Sequence, residues 1–201
     1  MSRTSIYVAL VFSAAFMLAD CVPGTSRYFA PEAQSGTLTT THGECNDVKD
    51  ALVFHDPDLD WVMIRVHADA GDKDRAWVRL SIYKEVPDVF GAFDSDKTYQ
   101  EHLKQYVEMD KRPIRIAFDD DHISVSTAAG ERLQLPLALP GGEGRSFTLA
   151  DRYFEQTFGI AAPGDGFDID IPVVAFDGAR LEIPHIRFTR ASSVVMQGIN
   201  C

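Results

Sequence analysis

Positive charge is scarce in this chain. Across 201 residues, 19 Lys and Arg stand against 30 Asp and Glu, for a net charge of −11. Phosphate backbones are bound by clustered cations, so this balance argues against nucleic acid as a partner. It argues equally against adhesion to anionic lipid through a basic face. The sequence motifs of common catalysts are missing as well. There is no G-x-S-x-G, no S-x-x-K, and no Walker or Rossmann glycine pattern. Gly141-Gly142-Glu143-Gly144 comes nearest to a phosphate cradle. It follows Pro140 and leads into a strand-like stretch, so no helix N-terminus backs it. The six histidines, His42, His55, His67, His102, His122 and His185, form neither H-x-H nor H-E-x-x-H. The sequence therefore assigns no catalytic, cofactor-binding or metal-ligating residue.

What is present begins at the first residue. Met1-Ser2-Arg3-Thr4-Ser5 is short, polar and carries one positive charge, and an apolar run broken only by Ser13 follows over residues 6–18. A positive start, an apolar run of about 7–15 residues and a small-residue end are the parts of an export signal. A bilayer span needs about 20 apolar residues, which this run does not reach. A helix opening a globular domain is ordinarily amphipathic, and this run is apolar on every face.

The run ends in Leu18-Ala19-Asp20-Cys21, which resembles the lipobox of bacterial lipoproteins. The resemblance covers the signal and Cys21 alone. It implies that Cys21 takes a diacylglyceryl group and becomes the new N-terminus, anchoring the chain in the bacterial envelope, on the periplasmic side or at the cell surface. The position before the cysteine, normally Gly, Ala or Ser, holds Asp20. The alternative is ordinary cleavage just after Cys21, with Ala19 and Cys21 as the small residues, giving a soluble periplasmic or secreted protein. Arg3 and Asp20 cancel, so a mature chain keeps the net charge of −11.

Cysteine is the other scarce residue, with only Cys21, Cys45 and Cys201. With Cys21 lipidated, Cys45 and Cys201 make an even pair in an oxidising compartment, where disulfides persist. A bond between them would tie the C-terminus to the first strands. The competing reading is a reactive thiol at Cys45 beside His42.

The remainder divides into a tether over 21–41, rich in Pro, Gly, Ser and Thr, and a single β-rich domain over 42–201. Period-two alternation marks strands at 61–67 and 76–83, joined by a polar hairpin over 69–74. In the second strand Val78, Leu80 and Ile82 form the core face, with Trp77, Arg79, Ser81 and Tyr83 opposite. Residues 114–118, 122–126 and 132–135 read as a three-strand meander. Strands follow at 167–171 and 181–188, with Asp177-Gly178 as a turn and Pro184 as an edge or bulge. Two helices are expected. One spans 96–107, with Tyr99, Leu103, Tyr106 and Val107 at helical spacing. The other follows the capping box Thr148-Leu149-Ala150-Asp151, with Phe154 and Phe158 one turn apart and Gly159 as a stop. The expected fold is mainly β: an antiparallel β-sandwich or open barrel with one or two short peripheral helices.

Two groups of carboxylates suggest chemistry. Asp56, Asp58 and Asp60 alternate as in the opening of a calcium loop, but Trp61 stands where the loop needs glycine and no closing Glu follows. A Pro-containing turn explains them more simply. Asp168 and Asp170 share a strand face, which suits paired-carboxylate glycosidase chemistry as well as plain solvent-facing alternation. Three functions are consistent with this inventory. The first is an anchored envelope module that binds a protein partner. The second is a secreted hydrolase or carbohydrate-binding domain using sheet-face carboxylates with Trp61 or Trp77 as a stacking platform. The third is a purely structural envelope protein. A concave face bearing two carboxylates and an exposed Trp is the feature that favours the second.

Overall fold

The computed structural model describes residues 21–41, 48–56, 59–71, 75–84, 104, 108, 111–141, 144–151 and 153–198. Among them are fourteen strands: β1 (Cys21–Glu32), β2 (Thr37–Thr39), β3 (Ala51–Asp56), β4 (Leu59–Ala70), β5 (Arg75–Lys84), β6 (Ile114–Phe118), β7 (His122–Thr127), β8 (Arg132–Pro136), β9 (Ser146–Leu149), β10 (Tyr153–Ala161), β11 (Gly166–Asp170), β12 (Val174–Phe176), β13 (Ala179–Leu181) and β14 (Ile186–Gly198). They form two open antiparallel sheets, not closed into a barrel, as in a β-sandwich. The larger runs β10-β5-β4-β1-β14-β11-β7-β8, with β3 paired to β4 and β2 to β3. The smaller runs β13-β12-β6-β9.

Alternation explains the layers. On β4, Val62, Ile64, Val66 and Ala68 are buried, and on β5 Ala76, Val78, Leu80 and Ile82 are buried beside them. The smaller sheet supplies Ile114, Ile116 and Phe118 from β6, Val174 and Phe176 from β12, and Phe147 and Leu149 from β9. All belong to one apolar cluster, so two sheets share one core. At the β1–β14–β11 end the core is aromatic. Phe167 stacks on Phe188 at 5.1 Å and meets Phe29 edge-on at 5.2 Å.

Several expectations are corrected by the strand pairing. The capping-box helix at 148–159 is absent: Thr148 and Leu149 end β9, and 153–161 is β10. Phe154 and Phe158 are four apart, a spacing that fits a helical face and a strand face equally. Ile160, two further on, is also buried and settles the period as two. The three-strand meander is only a hairpin, β7–β8. β6 pairs with β9 and β12 in the other sheet, so Asp119-Asp120-Asp121 carries the chain across the sandwich. Pro184 stands in a second crossing. It lies in the non-strand stretch between β13 of the smaller sheet and β14 of the larger, since a residue without an N–H suits a break in the ladder. The segment expected as a tether, 21–41, is drawn into the sheet as β1 and β2, because β1 pairs with β14 from Cys21↔Gly198 to Glu32↔Arg187. The helix expected over 96–107 lies outside the described residues except Lys104, which is helical.

The Asp177-Gly178 turn forms as expected. Both residues have positive φ, 49° and 99°, which is the two-residue turn whose twist matches a hairpin, here β12–β13. Among the described residues no helix is long and apolar enough to cross a membrane.

Phe167 is the test of the aromatic end of the core. Phe167→Ala is expected to lower unfolding free energy by about 3–5 kcal/mol, read as a reduced urea midpoint with unchanged m. A loss under about 1 kcal/mol would mean that the Phe29–Phe167–Phe188 cluster does not hold the sheet together.

Candidate functional site

The face of the larger sheet turned away from the core is polar on β4, β5 and β10, with buried Ala51 and Val53 of β3 beside it. Strand register sets it out in two rows. Val53, Arg65, Ser81 and Glu155 lie side by side in one, and Ala51, His67, Arg79 and Thr157 in the next. Asp69 faces Trp77 one row further. Thr41 closes the rim: its N–H and hydroxyl donate to the two oxygens of buried Asp50 at 2.8 and 2.5 Å. Thr41, Arg65, His67, Asp69, Arg79, Ser81 and Glu155 enclose a cavity of about 300 Å³. That is the lower end of the range for small-molecule sites, roughly 300–1,000 Å³.

Within the cavity the charges are unevenly paired. Arg79 takes both carboxylates, with Asp69 at 3.5 Å and Glu155 at 3.6 Å. His67 Nε2 lies 3.4 Å from the same Asp69 oxygen, and the Ser81 hydroxyl donates to Glu155 at 3.2 Å. Arg65 is left over. Its guanidinium lies 5.1 Å over the Tyr83 ring. Its buried Nε, like that of Arg79, meets no hydrogen-bond acceptor among the described residues, but Arg79 has two carboxylates within ion-pair distance and Arg65 has none there. His67 is buried, and its Nδ1 is also without a partner there. A buried, unmatched polar atom costs about 1–3 kcal/mol, and such costs collect where ligands bind.

Trp77 lies on the same strand face, opposite the cavity residue Asp69, and is 41% exposed. A Cβ at Gly159, directly opposite on β10, would fall 3.0 Å from the indole ring. Glycine there is what lets the ring lie close over the neighbouring strand. Tyr153 is 66% exposed and pairs with Tyr83, so aromatic rings stand at both ends of the polar rows.

The residues singled out in sequence fall elsewhere or are engaged. Cys21 opens β1; Cys45, Cys201 and His42 lie outside the described residues. Asp56 faces Leu59 where β3 turns into β4, and residues 57–58 are outside the described set. Trp61 is half-buried against the core with the Arg112 guanidinium 5.4 Å over its ring, so Trp77 is the exposed tryptophan. Asp168 and Asp170 share a face of β11, and each meets a nitrogen-bearing side chain at the start of β14. Arg187 Nε donates to Asp168 at 2.8 Å, and His185 Nδ1 lies 2.8 Å from Asp170. The Arg187 hydrogen bond, then its charge, holds the Asp168 carboxyl below the usual carboxylate range, opposite to what a general acid needs. Asp120, Asp121 and His122 gather ligand-type atoms within 4.8 Å of one another. Their contacts are local bonds of an exposed turn: Asp121 N–H to Asp120, and His122 Nδ1 to Asp121, both 2.6 Å.

No protein-family model matches the chain, and no curated protein matches it. Geometry therefore carries the functional reading.

The Asp168–Arg187 pair has a definite pH signature. Folding favours the ionised carboxylate, so its contribution is whole above the ordinary value of about 3.9 and fades as pH falls through and below it. Asp168→Asn is expected to lower the melting temperature by about 1–3 °C at neutral pH and by nothing measurable near pH 2. A deficit that persists unchanged in acid would assign the effect to packing instead.

Proposed function

We propose that this chain is an exported, envelope-anchored binding module whose ligand is a saccharide, held on the outward face of β3–β4–β5–β10. The observation that carries this is the exposed Trp77 beside a small cavity lined by alternating carboxylates and cationic or hydroxyl groups. A sugar ring offers an apolar face to an indole and hydroxyls that both donate and accept. Asp69 and Glu155 supply acceptors, and Arg65 and Arg79 supply donors. The protein-partner reading fits less well. Protein interfaces are depleted of charge at their buried core, whereas charge fills the middle of this face.

Export rests on the residue 6–18 run, and anchoring on the lipobox resemblance at Cys21. Residues 21–27 of β1 pair with β14 alone, up to the β4 contact at Tyr28↔Asp69. Seven residues at about 3.3 Å each would let an acyl anchor at Cys21 hold the ligand face some 20 Å from the bilayer.

Binding of the mature protein to a panel of polysaccharides, read by isothermal titration, tests the reading. Trp77→Ala is expected to weaken binding by about tenfold or more, and Gly159→Val by a similar factor through displacement of the ring. Undiminished affinity in both variants would remove Trp77 from the site. Intact mass of the membrane-extracted protein tests the anchor: diacylglyceryl mass on an N-terminal Cys21 is expected, and an unmodified chain beginning at Val22 contradicts it.

A further inference from the structure

We infer that the saccharide taken by this face carries a carboxylate, as a uronic acid does, and that Arg65 receives it. The inference rests on the saccharide reading above and adds the chemical class of the sugar.

The argument begins with charge pairing inside the cavity. Its two carboxylates, Asp69 and Glu155, are both within ion-pair distance of Arg79. Among the described residues none pairs with Arg65, whose Nε is nevertheless buried. A guanidinium presents a planar fork of donors, and the group that matches it in geometry and charge is a carboxylate bound through both oxygens. The Tyr83 ring lies 5.1 Å from the guanidinium carbon, a cation–π contact that does not consume its N–H donors. Among the described residues no carboxylate compensates that half-buried charge, and a neutral sugar would not supply one. A ligand carboxylate satisfies it.

His67 adds a second requirement. Asp69 faces its Nε2, so in the neutral ring the hydrogen belongs on Nε2, and Nδ1 is a bare acceptor. That buried Nδ1 seeks a hydroxyl donor. Arg65 and His67 are two apart on one face of β4, about 6.6 Å along the strand. The face thus asks for a carboxylate and a hydroxyl about one sugar ring apart. Neutral sugars supply the second only, and simple carboxylic acids the first only.

The chain's overall charge of −11 repels an anion at a distance. At physiological ionic strength that repulsion is screened within about 8 Å, while a half-buried contact pair is screened much less. The local pairing therefore sets the preference.

Isothermal titration of the full mature protein with three probes tests this: an oligogalacturonate, the same oligomer with its carboxyls reduced to alcohols, and a sulfated neutral oligogalactose. The expected result is that the uronate binds tightest, by about 10- to 100-fold over the reduced oligomer. Arg65→Gln is expected to abolish that preference with the melting temperature retained, and Arg65→Lys to restore part of it. Equal affinity for the uronate and its reduced form overturns the inference and leaves the saccharide reading standing. Tighter binding of the sulfated oligomer also overturns it. Binding of none of the probes, in a protein that also binds nothing in the wider polysaccharide panel, overturns both.

Discussion

Antiparallel pairing of β4 with β5, in register from Val62↔Lys84 to Ala70↔Ala76, is the constraint on which core and site both depend. It places Ile64, Val66, Leu80 and Ile82 on the inner face, and Arg65, His67, Arg79 and Ser81 on the outer one. Because the side-chain period is two, a slip of one residue in either strand would reverse its faces. Two or more fully buried aliphatics exposed, at about 1.5–3 kcal/mol each, together with charges moved into a dry core, make that slip prohibitive. The apolar face thus enforces the geometry of the polar one, and the cavity is as rigidly placed as the core behind it.

The same alternation was legible in the sequence. Val78, Leu80 and Ile82 read as core, with Trp77, Arg79, Ser81 and Tyr83 opposite, and β5 has that arrangement. The adjoining residues Arg65, His67 and Asp69 follow the same period on β4 and carry no site signal in sequence. Each alone is an ordinary outward residue of a strand. Only the register of β4 against β5 makes them neighbours, and no single-strand pattern encodes register. Glu155 was hidden for a different reason, since Phe154 and Phe158 fit a helix over 148–159 as well as a strand. The pairing of sheets was also invisible: Asp119-Asp120-Asp121 looks like a hairpin turn whether it joins two strands of one sheet or crosses between two.

Carboxylates illustrate how environment, not residue type, separates a site from a surface. Asp168 and Asp170 are the conspicuous pair in sequence, yet each is already engaged by an exposed neighbour, Asp168 by Arg187 and Asp170 by His185. Asp69 and Glu155 are inconspicuous in sequence and lie on different strands, β4 and β10. They share a single arginine inside a concavity where, among the described residues, Arg65 Nε, Arg79 Nε and His67 Nδ1 have no hydrogen-bond partner. The unmatched groups are what a ligand has to complete.

Location is the central claim. Titrating the isotope-labelled mature protein with an acidic polysaccharide and following amide and indole chemical shifts tests it most directly. Shifts concentrated on residues 65–69, 77–83 and 155–159, with the Trp77 indole N–H among the largest, are the predicted outcome. Shifts centred instead on residues 165–170 and 185–190, with β4 and β5 unmoved, would contradict it.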